Sequence, residues 1–365
     1  SFDLHPELIL AIINYTPSKG DVAHLAQTCH GLYSLVMPEL YRQSYQDNEA
    51  ETLYWAAENG HSPVVQFFLE ANGHLGLEIL LPHMNDALSL PAQHGQTSVV
   101  ITLLPMEGVD PDNIDPYRRT PLSYAAQGAH LDIVRSLLET NRVNPNSKDR
   151  VFGQSPLIWA VRGPQGKLGL KHEPAATGMP SLEDCAISVI RLLLENGANI
   201  DSLDYDYRSA LYWATARGIG SIAMVRLLLQ NGARPDGHVS EEQRAMVKSN
   251  YRIGLQERGE HLSSVRGIRL PLSLAAWNGH DELVRTLLEY NANIDCTSIS
   301  GLIQNRHPLA CAAEKGHLSI ARLLMERGTC PESPGNPLQC AAKNGHAEMV
   351  QLLLDEMMHH YSQVT

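Results

Sequence analysis

The fold is decided by one stretch, Leu270-Pro-Leu-Ser-Leu-Ala-Ala-Trp-Asn-Gly-His-Asp-Glu-Leu-Val-Arg-Thr-Leu-Leu-Glu-Tyr-Asn-Ala-Asn-Ile-Asp-Cys-Thr-Ser298. Pro271 suits the first position of a helix, where no backbone N–H is needed, and the small residues after it can pack closely on a neighbour. Asn278-Gly279 ends that helix, and Asp281 places negative charge in the first turn of a second one. Leucines then recur on one side of this second helix. The stretch therefore predicts two short antiparallel helices followed by a polar hairpin.

The same unit is written several times along the chain. Copies of its opening motif begin at Thr52, Ala87, Thr120, Ser155, Ser209, His307 and Asn336. Each unit of such an array buries its apolar face against its neighbours, so one long array needs no division into several domains. We therefore predict an all-α solenoid of about eight helix-turn-helix repeats over residues 51–356, with a C-terminal tail at 357–365. Pro91 and Pro105 fall in the second copy, which we expect to be irregular.

Two insertions interrupt the middle of the array. Residues 163–180 separate the two helices of the fourth repeat, and Ser181 can cap the helix that follows. Residues 237–269 follow the fifth repeat and open with Ser240-Glu-Glu-Gln243, a capping box that predicts a helix within the insertion. Because insertions in repeat arrays lie on one face, often the binding face, we expect the functional site in the middle repeats.

The opening motif Thr120-Pro-Leu-Ser-Tyr-Ala-Ala126, with its period of about 33 residues, resembles the ankyrin repeat. The resemblance covers most of residues 51–356. It implies that the hairpin tips, and the residue just after the Ala-Ala pair, face a concave surface that binds a protein partner.

Residues 1–48 do not follow the repeat. They show Leu4-His-Pro-Glu-Leu8, then Asp21 four residues before Leu25, and Thr28-Cys-His-Gly-Leu-Tyr33. This order of residues resembles the F-box, a three-helix module that docks on the adaptor of a cullin-type ubiquitin ligase. The resemblance implies adaptor contacts at Leu4, Pro6, Ile9 and Leu25. The alternative is a helical cap that only covers the apolar end of the first repeat.

Composition excludes several classes of partner. The formal net charge is -12 and the pI is about 5.8, whereas a nucleic acid or an anionic membrane would call for a basic stripe. No apolar run is long enough to span a bilayer. The six cysteines contain no Cys-x-x-Cys pair and fit small core residues of a reducing compartment. We therefore expect no nucleic acid and no membrane, and a location in the cytoplasm, the nucleus or both.

Histidines are numerous, but their spacing argues against a metal site. His61, His130, His280, His317 and His346 all lie at the turn between the two helices of a repeat. Packed helices are roughly 8 to 10 Å apart, so these imidazoles form a row and do not converge on one ion. The motifs of metalloproteases, phosphate-binding loops, hydrolase elbows and dinucleotide sites are also absent. We expect no metal and no cofactor.

Aromatic residues and arginines mark a candidate binding surface. We interpret Trp55, Tyr124, Trp159 and Trp213 as core residues, since each precedes the packed alanine of a first helix. The positions that the resemblance assigns to the concave face hold residue types that are enriched at binding hot spots. They are Tyr117, Arg118, Phe152, Arg162, Tyr205, Tyr207, Arg208 and Trp277. The alternative is that these side chains pack on one another or under the insertions.

Two functions follow from these observations. The first is a scaffold that grips a protein on the concave face of the middle repeats, with the N-terminal module delivering that protein to a ubiquitin ligase. The second is a small-molecule-binding protein or an atypical enzyme, with its pocket in the groove of repeats three to six under the two insertions. Acid–base groups for that second function would come from Asp204, Asp206, Tyr207 and Arg208, although Asp204 also fits an ordinary hairpin-turn hydrogen bond.

Overall fold

The computed structural model describes residues 49–72, 77–163, 181–218, 221–236, 270–295 and 307–364. These ranges contain sixteen α-helices in eight consecutive pairs, and no β-strand occurs within them. The all-α, eight-repeat architecture predicted from the sequence is therefore confirmed. The predicted N-terminal module at 1–48, and the insertions apart from Gly163, lie outside the described residues.

The chain divides into two compact units, Ser1–Asn144 and Pro145–Thr365. The first unit holds three helix pairs, and its first helices stack on one another while its second helices form another layer. The helices are α1 (Glu49–Glu58), α2 (Ser62–Asn72), α3 (Leu77–His94), α4 (Thr97–Leu103), α5 (Pro121–Gln127) and α6 (Leu131–Glu139).

The second unit holds five pairs, whose first helices and second helices also form two layers within that unit. Its helices are α7 (Pro156–Arg162), α8 (Leu182–Glu195), α9 (Ala210–Arg217), α10 (Ile222–Gln230), α11 (Pro271–Asn278), α12 (Asp281–Glu289), α13 (Pro308–Lys315), α14 (Leu318–Glu326), α15 (Pro337–Lys343) and α16 (Ala347–Val364). The last helix continues to Val364, so most of the predicted tail is helical.

Capping residues explain where the first helices begin. Ser155 and Ser209 precede α7 and α9, and each hydroxyl accepts a hydrogen bond from the backbone N–H three residues later. Pro271 opens α11 at a position that needs no N–H, as the sequence predicts. Gly279 then ends α11 in the left-handed conformation, with φ of 76°.

The second repeat is irregular, as its prolines predict. Its first helix, α3, has 18 residues and contains Pro82 and Pro91, whereas α5 has 7 residues. Its second helix, α4, ends at Leu103, two residues before Pro105. The array therefore becomes regular only from the third repeat.

The turn histidines join each repeat to the one before it. Nε2 of His130 lies 3.2 Å from the carbonyl of Gln93, and Nε2 of His317 lies 3.1 Å from the carbonyl of Trp277. His346 makes the same bond to Glu314 at 3.1 Å. A carbonyl oxygen only accepts, so the imidazole N–H donates in each case. These bonds confirm the structural role expected for these three histidines.

Candidate functional site

The hairpin before α7 is built around the buried carboxylate of Asp149. Its Oδ1 accepts hydrogen bonds from the backbone N–H groups of Val151 (2.9 Å) and Phe152 (2.6 Å). Its Oδ2 accepts from the Gln154 backbone N–H at 2.8 Å and from the Trp159 indole N–H at 3.2 Å. Four donors therefore fix the turn and tie it to the helix that follows.

Asp204 builds the next hairpin in the same way. Its Oδ1 accepts from the backbone N–H groups of Asp206 (3.0 Å) and Arg208 (2.9 Å). Its Oδ2 accepts from the Arg208 Nε at 3.0 Å and from the Trp213 indole N–H at 3.1 Å. The Gln154 side-chain amide also reaches this oxygen at 3.5 Å, which links the hairpins of repeats four and five.

The tryptophans serve two purposes. Trp159 is buried, which confirms that it fills the core, while Trp213 is half-buried. Each indole N–H is satisfied by the aspartate of its own hairpin. Because a buried indole needs a hydrogen-bond acceptor, the choice of aromatic residue and the choice of turn residue are coupled.

Arg162 lies among the aromatic rings of both repeats. Its guanidinium carbon is 4.3 Å from the centre of the Trp213 ring, 5.2 Å from that of Trp159 and 5.6 Å from that of Phe152. Nη1 donates to the Gln154 side-chain oxygen at 2.6 Å. Desolvation by burial lowers the pKa of Arg162, and the neighbouring Arg208 lowers it further. The group remains charged, because the pKa of an arginine side chain lies far above neutral pH.

The tips of the two hairpins expose large apolar side chains. The exposed fractions are 52% for Val151, 40% for Phe152 and 57% for Tyr205. The Tyr205 backbone N–H donates to the Phe152 carbonyl at 2.8 Å, which joins the two tips. The Tyr205 ring covers Gly153, where an added Cβ would lie 2.5 Å from it. We call the set Val151, Phe152, Arg162, Tyr205, Arg208 and Trp213 the arginine–aromatic surface, which lies over the buried Trp159.

The residues considered for acid–base chemistry have structural partners. Both oxygens of Asp204 accept hydrogen bonds from the hairpin, and Asp206 forms an ion pair with Arg208. Tyr207 adopts a left-handed φ of 59° in the turn. Asp204 therefore anchors the hairpin, as in the ordinary interpretation of its position. The arrangement is suited to binding through aromatic faces and guanidinium groups.

Tyr117 and Arg118 belong to the first unit, in a hairpin of the same design. The carboxylate of Asp115 accepts from the Tyr117 and Arg119 backbone N–H groups at 2.8 Å each, and from the Tyr124 hydroxyl at 2.6 Å. Desolvation, followed by the Asp115 hydrogen bond, raises the pKa of Tyr124 to about 12. Arg118 adopts a left-handed φ of 57°, and Tyr117 is 60% exposed at the tip.

Sequence reasoning missed the supporting pair beneath each hairpin. In repeat three the Arg119 guanidinium donates to the Gln127 side chain at 2.7 Å, and in repeat four Arg162 donates to Gln154 at 2.6 Å. In repeat three the arginine precedes the helix cap and the glutamine lies at the helix end. In repeat four the glutamine precedes the cap and the arginine lies at the helix end. Aligning the repeats position by position would have revealed this exchange.

Trp277 is half-buried on α11, which packs between α9 and α13. The Lys315 ammonium lies 4.3 Å from the centre of its ring. This cation–π contact belongs to the neighbouring repeat, and the assignment of Trp277 to a binding surface stays a prediction. The insertions that would enclose a small-molecule pocket lie outside the described residues.

Two kinds of feature are absent from the described part of the chain. Within those ranges, no cluster of three or more His, Cys, Asp or Glu side chains is arranged to hold a metal ion. Among the same residues, no helix combines the length and apolar character needed to cross a membrane.

Comparison with known proteins identifies the repeats. Residues 88–168 and 268–363 match the family model described as ankyrin repeats. A search of curated proteins gives no match. Among solved structures, the ankyrin repeat domain of human ASB11 matches with 21% sequence identity and a TM-score of 0.49, over 73% of this chain and 96% of that one.

Proposed function

Because this chain contains ankyrin repeats, which are protein-interaction modules, we propose that it is a scaffold whose arginine–aromatic surface contacts a protein partner. The observation that carries the proposal is the exposure of Val151, Phe152 and Tyr205 on hairpin tips that buried carboxylates hold in place. Exposed aromatic side chains on a fixed backbone lose little conformational freedom on binding.

The composition of this surface supports a protein partner. Trp, Tyr and Arg are enriched at interface hot spots, and here Trp213, Tyr205 and two arginines adjoin within two repeats. Hot spots lie in packed, partly desolvated surroundings, and Arg162 and Trp213 are already half-buried before any partner is present. Exposed polar residues, Lys148 and Asp206, border them, as in the polar rim of typical interfaces.

Affinity capture from native extract tests the proposal. The full chain and a Phe152→Ser, Tyr205→Ser double variant are used as baits, and the bound proteins are quantified by mass spectrometry. We expect the double variant to lose the specific partner by about tenfold or more, because two hot-spot aromatics are removed. The matched control is Leu182→Ser, since Leu182 is 49% exposed on the second helix of repeat four. Equal capture by all three baits would refute this location for the binding surface.

The finer proposal is that the partner is a substrate of a cullin-type ubiquitin ligase. Its support is the resemblance of residues 1–48 to an F-box, with adaptor contacts at Leu4, Pro6, Ile9 and Leu25. A pull-down with the purified adaptor is the test, comparing the full chain with a Leu4→Ala, Ile9→Ala variant. We expect the variant to lose the adaptor. If the variant still binds the adaptor, the F-box assignment is wrong and the alternative, a helical cap at residues 1–48, is favoured.

A further inference from the structure

The segment 148–163 carries positive charge in an acidic protein. It contains three cations, Lys148, Arg150 and Arg162, and one carboxylate, Asp149, so its formal charge is +2 whereas that of the whole chain is -12. Lys148 and Arg150 are exposed. Within the described residues, none of the three cations forms a salt bridge with a carboxylate.

The nearby carboxylates are engaged by other groups. Asp149 and Asp204 are buried and accept hydrogen bonds from hairpin N–H groups and indoles. Asp206 is paired with Arg208. The charge of Arg162 is therefore not neutralised by a contacting carboxylate of the described chain. Among the described residues its guanidinium donates to Gln154 through Nη1, and Nε and Nη2 form the other edge, which can donate as a fork.

We propose that the arginine–aromatic surface recognises a short extended segment of its protein partner in which acidic side chains adjoin apolar ones. A carboxylate binds the open edge of Arg162, with Lys148 and Arg150 adding attraction, while an apolar side chain packs on Phe152 and Tyr205. This inference rests on the proposed function and adds the chemistry of the partner. Charge complementarity selects it, because cations without a contacting carboxylate in the described residues adjoin exposed apolar tips only a few residues away. Lys148 contributes through its remaining N–H groups, since its ammonium already donates to the Leu203 carbonyl at 2.7 Å.

A nucleic acid is the less suitable polyanion. Phosphate-backbone binding depends on a basic stripe that neutralises several phosphates, and here the segment 148–163 has a formal charge of only +2 in a chain with net charge -12. A peptide carries its carboxylates locally and supplies the apolar side chains that the tips can contact. The surface therefore fits an acidic peptide better.

Selection from a random peptide library displayed on phage, with the full chain as target, tests the inference. Selected sequences are synthesised with a fluorescent label and titrated by anisotropy at two salt concentrations. We expect Asp and Glu beside apolar residues to be enriched, and affinity to fall as salt rises. Replacing Glu by Gln in the best peptide should weaken binding by about tenfold, because a charge-assisted fork is lost.

Protein variants locate the effect. Arg162→Gln should lower the affinity for the acidic peptide by about tenfold and abolish the preference of the protein for this peptide over the Gln-containing one. Arg162→Lys keeps the charge and should lower the affinity less. Arg191→Gln is the control, since Arg191 is exposed on the second helix α8. A thermal melt of each variant shows whether it folds. The Glu-to-Gln exchange in the peptide tests the carboxylate contact without any change in the protein.

The outcomes separate this inference from the proposed function. Peptides that require Phe152 and Tyr205 but ignore both Arg162 and their own carboxylates would overturn the inference and leave the binding surface in place. Failure to select any Arg162-dependent peptide would also overturn it. A 20-nucleotide single-stranded RNA is the competing ligand. If it binds more tightly than the acidic peptides, and if Arg162→Gln weakens that binding, the surface would be assigned to phosphate instead.

Discussion

Repeats four and five and repeats seven and eight of the second unit share one scaffold and differ in what they display. In both regions the first helix is short and capped, and its alanines pack on the neighbouring repeat. The residue before the packed alanine is Trp159 or Trp213 in the first region, and Cys311 or Cys340 in the second. A cysteine fills space, whereas an indole also needs an acceptor.

The hairpins differ in the same sense. Asp149 and Asp204 hold turns that expose Phe152 and Tyr205. In the hairpin before α15, the Ser333 backbone N–H instead donates to the Cys330 carbonyl at 3.0 Å. The Ser333 hydroxyl lies 3.2 Å from His307 Nδ1 and supplies the side-chain bond of this hairpin. Across the residues described there, no large apolar side chain is exposed at the tip. The helices therefore build the scaffold in both regions, and the proposed binding surface lies on the hairpins of repeats four and five.

Removing the central hairpin anchor should have the largest effect. In Asp204→Ala the Arg208 guanidinium and the Trp213 indole lose their buried acceptor, and we expect the free energy of unfolding to fall by about 3 to 5 kcal/mol. Urea denaturation measures it. Asp206→Ala is the control, because its side chain is 63% exposed and the loss should stay below about 1 kcal/mol. A comparable loss in Ser333→Ala would erase the distinction between the two regions.

A pH effect should come from the other region. His307 caps α13 where repeats four and five use serines, and its Nδ1 accepts from the Leu309 N–H at 3.3 Å and from the Ser333 hydroxyl at 3.2 Å. Desolvation lowers the pKa of His307 below its ordinary 6.5, although Asp295 opposes the shift. Below pH 6.5 the unfolded chain therefore binds more protons than the folded one, and stability falls as pH falls, by up to about 1.4 kcal/mol per pH unit.

The matched variant for this effect is His307→Ser, which installs the capping residue of repeats four and five. Stability measured by urea denaturation between pH 7.5 and 5 should decline less steeply in the variant than in the parent chain. His61, His130 and His280 also have lowered pKa values through burial, so a residual decline is expected. Identical slopes for variant and parent would show that His307 does not contribute.

Two glycines separate backbone strain from displacement of Tyr205. Gly153 and Gly197 both have positive φ, but an added Cβ at Gly153 would lie 2.5 Å from the Tyr205 ring, whereas at Gly197 nothing lies within 4 Å. Gly197→Ala should cost about 1 kcal/mol from the left-handed conformation alone. Gly153→Ala should cost about 1 kcal/mol more, because the added Cβ also displaces the Tyr205 ring, and it should weaken partner binding. Equal effects on stability and binding would show that Tyr205 moves freely.

The smallest change is removal of one indole donor. Trp213→Phe keeps most of the ring and leaves Asp204 Oδ2 with the Arg208 Nε as a donor, so we expect a loss of about 1 kcal/mol. A double-mutant cycle with Asp204→Asn measures the coupling between the two side chains. Strictly additive losses would mean that the indole–carboxylate bond contributes nothing.

The sequence predicted the scaffold well because its physical causes are local. Pro271, Gly279 and the leucines of α12 follow rules of capping and helical periodicity, and each appears where the pattern requires. The hairpin carboxylate Asp204 was also recognisable, because aspartate commonly accepts backbone N–H groups in turns. These features need no knowledge of distant contacts.

The site was only partly predictable because its contacts join positions in different repeats. Phe152, Arg162, Tyr205 and Arg208 were expected at the surface and do adjoin one another. The position of Arg162 over the Trp213 ring depends on how α7 packs beside α9, and no local pattern encodes it. Trp213, expected in the core, forms part of this surface for the same reason.

Amide hydrogen exchange of the full chain, with and without the partner obtained by affinity capture, tests the central claim most directly. We expect new protection in residues 149–163 and 203–213, where the two hairpins and their helices form the arginine–aromatic surface. Residues 307–364 should exchange as in the unbound chain. Protection confined to 307–364, or to the second helices α8 and α10, would contradict the account.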